Sequence, residues 1–321
     1  MMVSDEFHPT FNHGRWNKYH YYLFSDKNRE AFKILKIGMN NGETEIILPP
    51  KYGDVPLKAI FNGIINDCPM IFWYSYGFSY SLQNDGLHVL LTTNKYYDDR
   101  AEYARQIRRL SENLFTDHVQ YLKSEFEVEL FVHDYITSHV KYDESDPVAC
   151  HNIIGPMLEG KGVCDGISFM ANYLMSAFGL TVTKINSTSP GDDDGHAWNI
   201  VLLDGKFYHL DVTYDLGEDS SPNHSHMNLT DDMALKNHNY NKIVKCEGTE
   251  YNYYRQKQLW FVSEREAKHA IPPRLMKEKI IEFYIEKGCN FGRLLNRTVR
   301  SLRRNCSGYV LGHNTYMIKF E

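Results

Sequence analysis

The chain has 321 residues, of which 42% are hydrophobic, 24% charged and 14% aromatic. That composition is globular and long enough for one large core or two domains, and it excludes a disordered or low-complexity chain. A formal net charge of −6 argues against a nucleic-acid binder that works through overall charge, and no apolar run approaches the length of a membrane span.

The opening stretch MMVSDEFHPTFNHGRW has neither the basic nor the apolar region of a signal peptide, so a cytoplasmic location is expected. Cys68, Cys150, Cys164, Cys246, Cys289 and Cys306 are scattered, with no CxxC pair, and read as reduced thiols. Periodicity predicts a helix over 26–38, a short strand over 45–49 and an amphipathic helix over 55–67 that Pro69 stops. Residues 71–93 read as two strands around an Asn84-Asp85-Gly86 turn. From Asp98 to about His139 runs one long helical pattern, with room for a break, and then a loop at Asp146-Pro147.

The next segment, GKGVCDGISFMANYLMSAFGL, carries the first chemistry. Ile167, Met170, Ala171, Leu174, Ala177 and Phe178 repeat at helical spacing and make one buried face, with Gly179 as the stop. Cys164 then falls at the start of that helix, where the dipole and unpaired N–H groups favour a thiolate. Gly162 and Gly166 are read as leaving room for a substrate backbone, and a structural cysteine near a helix start is the alternative.

Downstream, HAWNIVLLDGKFYHLDVTYD places two strand-like runs around Asp204-Gly205, a two-residue hairpin signal. With that turn, Leu203 opposes Lys206, Trp198 opposes Asp211 and His196 opposes Thr213. His196, Trp198 and Asp211 then share one face, with His196 and Asp211 as diagonal neighbours at about 7–8 Å along the backbone. An imidazole with a carboxylate behind it is an oriented base, and a thiolate at a helix N-terminus is a fitting partner.

The segments GKGVCDGISFMANYLMSAFGL, HAWNIVLLDGKFYHLDVTYD and HMNLTDDMALKNH together resemble the core of the transglutaminase-like superfamily, most closely its bacterial branch, whose members have a papain-type fold. VHDYITSHVKYD, HNIIGPMLEGKGVC and DCPMIFWYSYGFSY resemble it too. The resemblance implies Cys164 as nucleophile, His196 as base and Asp211 as the orienting acid, with Gly162, Asp165, Gly166 and Trp198 at the substrate. Where that branch usually has Gln/Glu-Gly-Tyr-Ala after the cysteine, this chain has Asp165-Gly166-Ile167-Ser168, and Ile154 stands where a tyrosine is common.

The implied activity is acyl transfer on peptide or carboxamide bonds through a Cys164 thioester, with hydrolysis favoured. Crosslinking or deamidation is the alternative outcome, and a non-catalytic scaffold the second alternative. The expected substrate is a peptide or protein, and no cofactor or metal is expected. Asp192-Asp193-Asp194 reads as an exposed turn rather than a Ca²⁺ loop, and His224 and His226 lack partners at metal-ligand spacing.

The expected fold class is α+β: a papain-like core over 96–262 with a helix-borne cysteine packed on an antiparallel sheet. A smaller α+β module is expected from segments 1–95 and 263–321. The tail is predicted to run strand 279–286, helix 296–305 and a final strand TYMIKFE. Residues 265–321 carry 12 Lys+Arg against 5 Asp+Glu, a net of +7, leaving about −13 for the rest. Arg293, Arg297, Arg300, Arg303 and Arg304 line one side of the tail helix, a candidate dock for an acidic partner, a membrane surface or nucleic acid, with a solvated face covering a sheet as the alternative.

Overall fold

The computed structural model describes residues 7–187, 195–217, 223–240, 244–312 and 314–320. The Asp192–Asp194 turn lies outside them. The architecture is mixed α+β with several antiparallel sheets, in two compact units, Met1–Asp204 and Gly205–Glu321.

The first unit begins with α1 (Tyr19–Tyr22), α2 (Asp26–Asn41), β1 (Glu45–Leu48) and α3 (Leu57–Asp67). Ser25 caps α2 by accepting from Asn28 N, and Gly42 ends it in the left-handed region at φ 81°. Then come β2 (Tyr74–Gln83) and β3 (Gly86–Thr93), which join β1 in an antiparallel sheet of order β1-β3-β2.

The long helical pattern divides into α4 (Arg100–Asp117) and α5 (Glu125–His139). The break has a local cause: Ser124 accepts from Glu127 N at 3.2 Å, and the Glu127 side chain reaches back to Lys123 N at 2.6 Å. This is a variant of the capping box, and it starts a new helix. Two-residue strands β4 (Lys141–Tyr142) and β5 (Lys161–Gly162) pair in parallel and lead into α6 (Cys164–Ala177).

Every residue of α6 from Gly166 to Ala177 is buried, so it is the central helix of the unit. It packs on α5 and on the antiparallel pair β6 (Thr181–Asn186) and β7 (Ala197–Leu203), whose register runs from Thr181↔Leu202 to Asn186↔Ala197. Gly179, at φ 106°, turns the chain out of α6 as the sequence suggests. A buried amide ties the layers: Asn199 Nδ2 donates to Ser168 O at 3.1 Å.

The second unit holds β8 (Lys206–Leu210), β9 (Met227–Leu229), α7 (Asp231–Ala234), α8 (Tyr253–Gln256), β10 (Trp260–Phe261), α9 (Glu264–Glu278), β11 (Ile280–Ile285), α10 (Phe291–Leu302), β12 (Cys306–Gly312) and β13 (Thr315–Phe320). β8 and β9 pair antiparallel, and a four-stranded sheet has the order β10-β11-β13-β12. Helix α9 packs on β11 and β13, and α10 packs on β12, around a core that includes Ile271, Leu275, Phe283 and Ile318.

The tail helix starts earlier than the 296–305 read from sequence, because the Asn290 side chain accepts from Arg293 N at 3.0 Å and caps it there. Arg303, in the left-handed region at φ 52°, ends it. The arginines of α10 and its C-terminal end are exposed; Arg297 pairs with Glu264 at 3.2 Å and Arg304 lies over the Phe320 ring. Helix α9 and strand β12 are elements that the sequence reading missed.

Candidate active site

Cys164 is the first residue of α6, and it follows Val163, an extended N-cap residue with no side-chain capping bond. The first-turn N–H groups of a helix have no intrahelical acceptor, so this terminus favours a negative atom beside it. Cys164 is half-buried, and its Sγ lies 4.0 Å from the carbonyl oxygen of Gly195. The next residue is His196, held by two bonds across the strand ends: His196 N donates to Ser187 Oγ at 3.0 Å, and Ser187 N donates to His196 O at 2.8 Å. The first unit therefore brings the thiol to the peptide that carries the histidine.

Trp198 is buried, and its ring stacks on the His196 imidazole with centroids 5.7 Å apart and planes 20° apart. It is a wall behind the imidazole rather than a surface offered to solvent.

Packing makes its own demand at the two glycines flanking the cysteine. A Cβ at Gly166 would stand 2.3 Å from Cys150 O and 2.9 Å from Asn152 O, and one at Gly162 would stand 3.3 Å from Pro156 Cδ and 3.4 Å from Cys150 O. The space beside Gly166 is filled by the chain itself, and that beside Gly162 is close. They let the start of α6 close onto residues 150–152, where Val163 N also donates to Cys150 O at 3.0 Å.

Asp165 is the centre of a charged cluster that sequence reasoning did not find. Its Oδ1 lies 2.8 Å from Lys184 Nζ, and its Oδ2 lies 3.4 Å from His151 Nδ1. Lys184, only 2% exposed, also donates to Asn66 Oδ1 at 3.2 Å and Asn186 Oδ1 at 3.1 Å, and its ammonium sits 4.6 Å from the Phe169 ring centroid. Burial pushes the Asp165 carboxyl upward, but the Lys184 charge and the His151 hydrogen bond outweigh it and hold the group well below the usual carboxylate range.

Asp165, Lys184 and His151 line a cleft of about 570 Å³ together with Asn62, Asn66 and Tyr76. Tyr76 donates its hydroxyl to His151 O at 3.0 Å.

The hydrogen bond to Asp165, against some desolvation, raises the His151 pKa above that of an ordinary histidine. A raised folded value means that His151 contributes stability at low pH, and that the contribution is lost as pH rises through the folded value. The expected NMR titration of the His151 ring protons has a midpoint above the usual histidine value, and Asp165→Asn moves it down. An unchanged midpoint in that variant would sever the coupling.

Asp211 belongs to the second unit. It is buried, and its Oδ1 accepts from Thr213 N at 3.0 Å and Tyr214 N at 3.2 Å. Its Oδ2 lies 2.8 Å from Nε2 of His238, a residue that the sequence reading passed over inside the quoted stretch HMNLTDDMALKNH. The carboxylate is thus fixed by two backbone donors and an imidazole.

His224 and His226 in this unit turn to carboxylates: His224 Nδ1 is 2.9 Å from Glu282 Oε1, and His226 Nδ1 is 3.1 Å from Asp215 Oδ1. His209, Asp231 and Cys246, all buried, hold atoms of metal-ligand type within 4.8 Å of one another. There His209 Nε2 is 2.8 Å from Tyr240 OH and 3.1 Å from Asp231 Oδ1, a hydrogen-bonded arrangement.

No family model and no curated protein matches the chain. Among solved structures, one described as a TGase is 18% identical with a TM-score of 0.30, over 45% of this chain and 45% of that one. One described as a candidate cysteine protease from Cytophaga hutchinsonii is 15% identical with a TM-score of 0.29, over 43% of this chain and 61% of that one. A candidate protease from Parabacteroides distasonis is 14% identical with a TM-score of 0.27, over 44% of this chain and 30% of that one. The chain thus spans less than two thirds of each. Among the described residues, no helix is long and apolar enough to cross a membrane.

Proposed function

We propose that the protein is a thiol-dependent acyl-transfer enzyme that cleaves peptide or carboxamide bonds through a thioester on Cys164. The observation that carries this reading is the position of Cys164: first residue of a buried helix, half-open to solvent, with its sulfur 4.0 Å from the carbonyl of the residue before His196. The resemblance of the surrounding segments to the transglutaminase-like superfamily supports the same roles.

In this mechanism the Cys164 thiolate attacks the carbonyl carbon, and the backbone N–H groups at the start of α6 stabilise the resulting oxyanion. His196, protonated in the thiolate–imidazolium pair, gives its proton to the leaving amine as the C–N bond breaks. Asp211 is assigned as the group that orients the imidazole, on the hairpin parity of the sequence. Water then attacks the thioester, His196 takes its proton, and the thiol and a carboxylic acid are released.

Hydrolysis is the favoured outcome because the cleft that Asp165, the residue after Cys164, helps to line is wide and carries Asn62, Asn66, Asn186 and His151, polar groups that water wets. Transamidation needs an amine to outcompete that water. The test is intact-mass detection of an acyl adduct on Cys164 during incubation with peptide amides, followed by product analysis. Acid or shortened peptide is expected. Amine-linked product at ordinary amine concentration would favour crosslinking, and absence of both adduct and turnover across a broad peptide library would sink the enzymatic reading.

A further inference from the structure

Beside the polar cleft opens a second cavity of about 170 Å³. The two share Ile65, Tyr76, Pro147 and His151. Deeper in, its walls are apolar: Ile71 and Phe72 before β2, Val148 from the loop after Pro147, and Phe169 from α6.

The polar groups in those walls are spent inside the fold. Asn94 Nδ2 donates to Phe72 O at 2.8 Å and Tyr74 O at 3.2 Å, while its Oδ1 accepts from Tyr96 N at 2.9 Å. Asn152 donates to Val148 O and accepts from Ile154 N, both at 2.7 Å. Tyr74 OH donates to Glu43 O at 2.8 Å, and Ser75 Oγ to Thr93 O at 3.4 Å. A guest here meets apolar contact, with its polar atoms left at the mouth. Cavities of about 150 Å³ with such walls take a benzene-sized guest, so this volume suits one large side chain.

The cavity reaches the reacting region through its own lining. Phe169 stands on the helix that begins at Cys164, His151 touches Asp165, the residue after the cysteine, and the Tyr76 hydroxyl holds His151 O. We propose that this cavity is a specificity subsite that takes a leucine- to phenylalanine-sized side chain from the acyl part of a peptide substrate. The proposal rests on Cys164 being the nucleophile.

The experiment uses the full chain and peptidyl chloromethyl ketones of two series, acetyl-Xaa-Ala and acetyl-Ala-Xaa, with Xaa as Ala, Leu, Phe, Asp or Lys. The rate of Cys164 labelling is read by mass. In one series Leu and Phe are expected to label faster than Ala, by up to about fiftyfold for the three extra carbons of leucine once buried. Val148→Trp, and separately the smaller Val148→Phe, are expected to erase that preference while iodoacetamide still labels Cys164 at its original rate.

Equal rates for Ala and Leu in both series, a preference for Asp or Lys, or a Leu preference that survives both Val148 variants would overturn the subsite. Failure of the underlying reading shows up separately: iodoacetamide would then not single out Cys164 in the unaltered protein, and the subsite falls with it.

Discussion

Cys164→Ala is expected to reduce turnover of any confirmed substrate by about 10⁴-fold or more, with the fold unchanged, since removing a triad nucleophile leaves only binding and oxyanion stabilisation. The substitution trims one half-buried atom at the edge of a helix. His196→Ala is expected to lose nearly as much, because no acid then protonates the leaving amine. Asp211→Asn keeps the shape and removes the charge, and its loss is expected to be smaller by about one to two orders of magnitude.

Cys150 is the control. It is fully buried, its thiol is pushed up by that burial, and its Sγ lies 3.9 Å from Asp143 Oδ1. Burial likewise pushes the Cys68 thiol up to about 12 and raises Cys289. Thiols raised in this way are poor nucleophiles at neutral pH, so Cys164 is expected to take up iodoacetamide before any of these three. Turnover is measured on the four variants with one peptide. A dead Cys150→Ala beside an active Cys164→Ala would reassign the nucleophile.

The features legible in the sequence were those written in local pattern. The buried face of α6 repeats at helical spacing, Gly179 stops it, and Cys164 falls at its start as the pattern requires. The division between α4 and α5 was also present, in Ser124-x-x-Glu127, although the apolar pattern runs on through it. Helix α9 hid behind Pro272 and Pro273, which normally end a helix and here lie inside one. Strand β12, with Gly308 and Gly312 and half-exposed along much of its length, has no clean alternation to read.

The charged cluster at the site was harder, because its members come from four places in the chain. His151 gives no local signal. Lys184 gives only a faint one: in TVTKIN it is the lone charge of a short strand, and its need for a partner follows from its burial, which the mixed polar pattern does not announce. What cannot be read locally is that the partner is Asp165, the residue standing where the resembled family has Gln or Glu. The glycine beside it was legible as a glycine, while only the packed structure shows Cys150 O occupying the space a Cβ would need.

That pair supports the last expectation. Lys184→Met keeps the buried stem and removes the ammonium, leaving Asp165 without its main counter-charge and taking the lysine donor from the amide oxygens of Asn66 and Asn186, of which Asn186 keeps a longer bond from Asn66 Nδ2 at 3.4 Å. Deleting one partner of a buried ion pair costs about 3–5 kcal/mol, and the value here is expected near the lower end because the Asp165 side chain keeps 25% exposure. Asp165→Asn removes the other half and is expected to destabilise comparably, since it strands a charge that is 2% exposed. The double variant Lys184→Met/Asp165→Asn is expected to be more stable than the sum of the two losses, because neither charge is then left alone. The sign with pH follows from the depressed carboxyl: Asp165 contributes its full stability above its unfolded pKa and loses it progressively as pH falls from there through its low folded value. The gap between Lys184→Met and the parent should therefore hold at neutral pH, begin to narrow as pH enters the ordinary carboxylate range, and close in strong acid. Urea denaturation at several pH values measures it, and single losses below about 1 kcal/mol, in the range of an exposed pair, would show that the lysine does not hold the start of α6 in place.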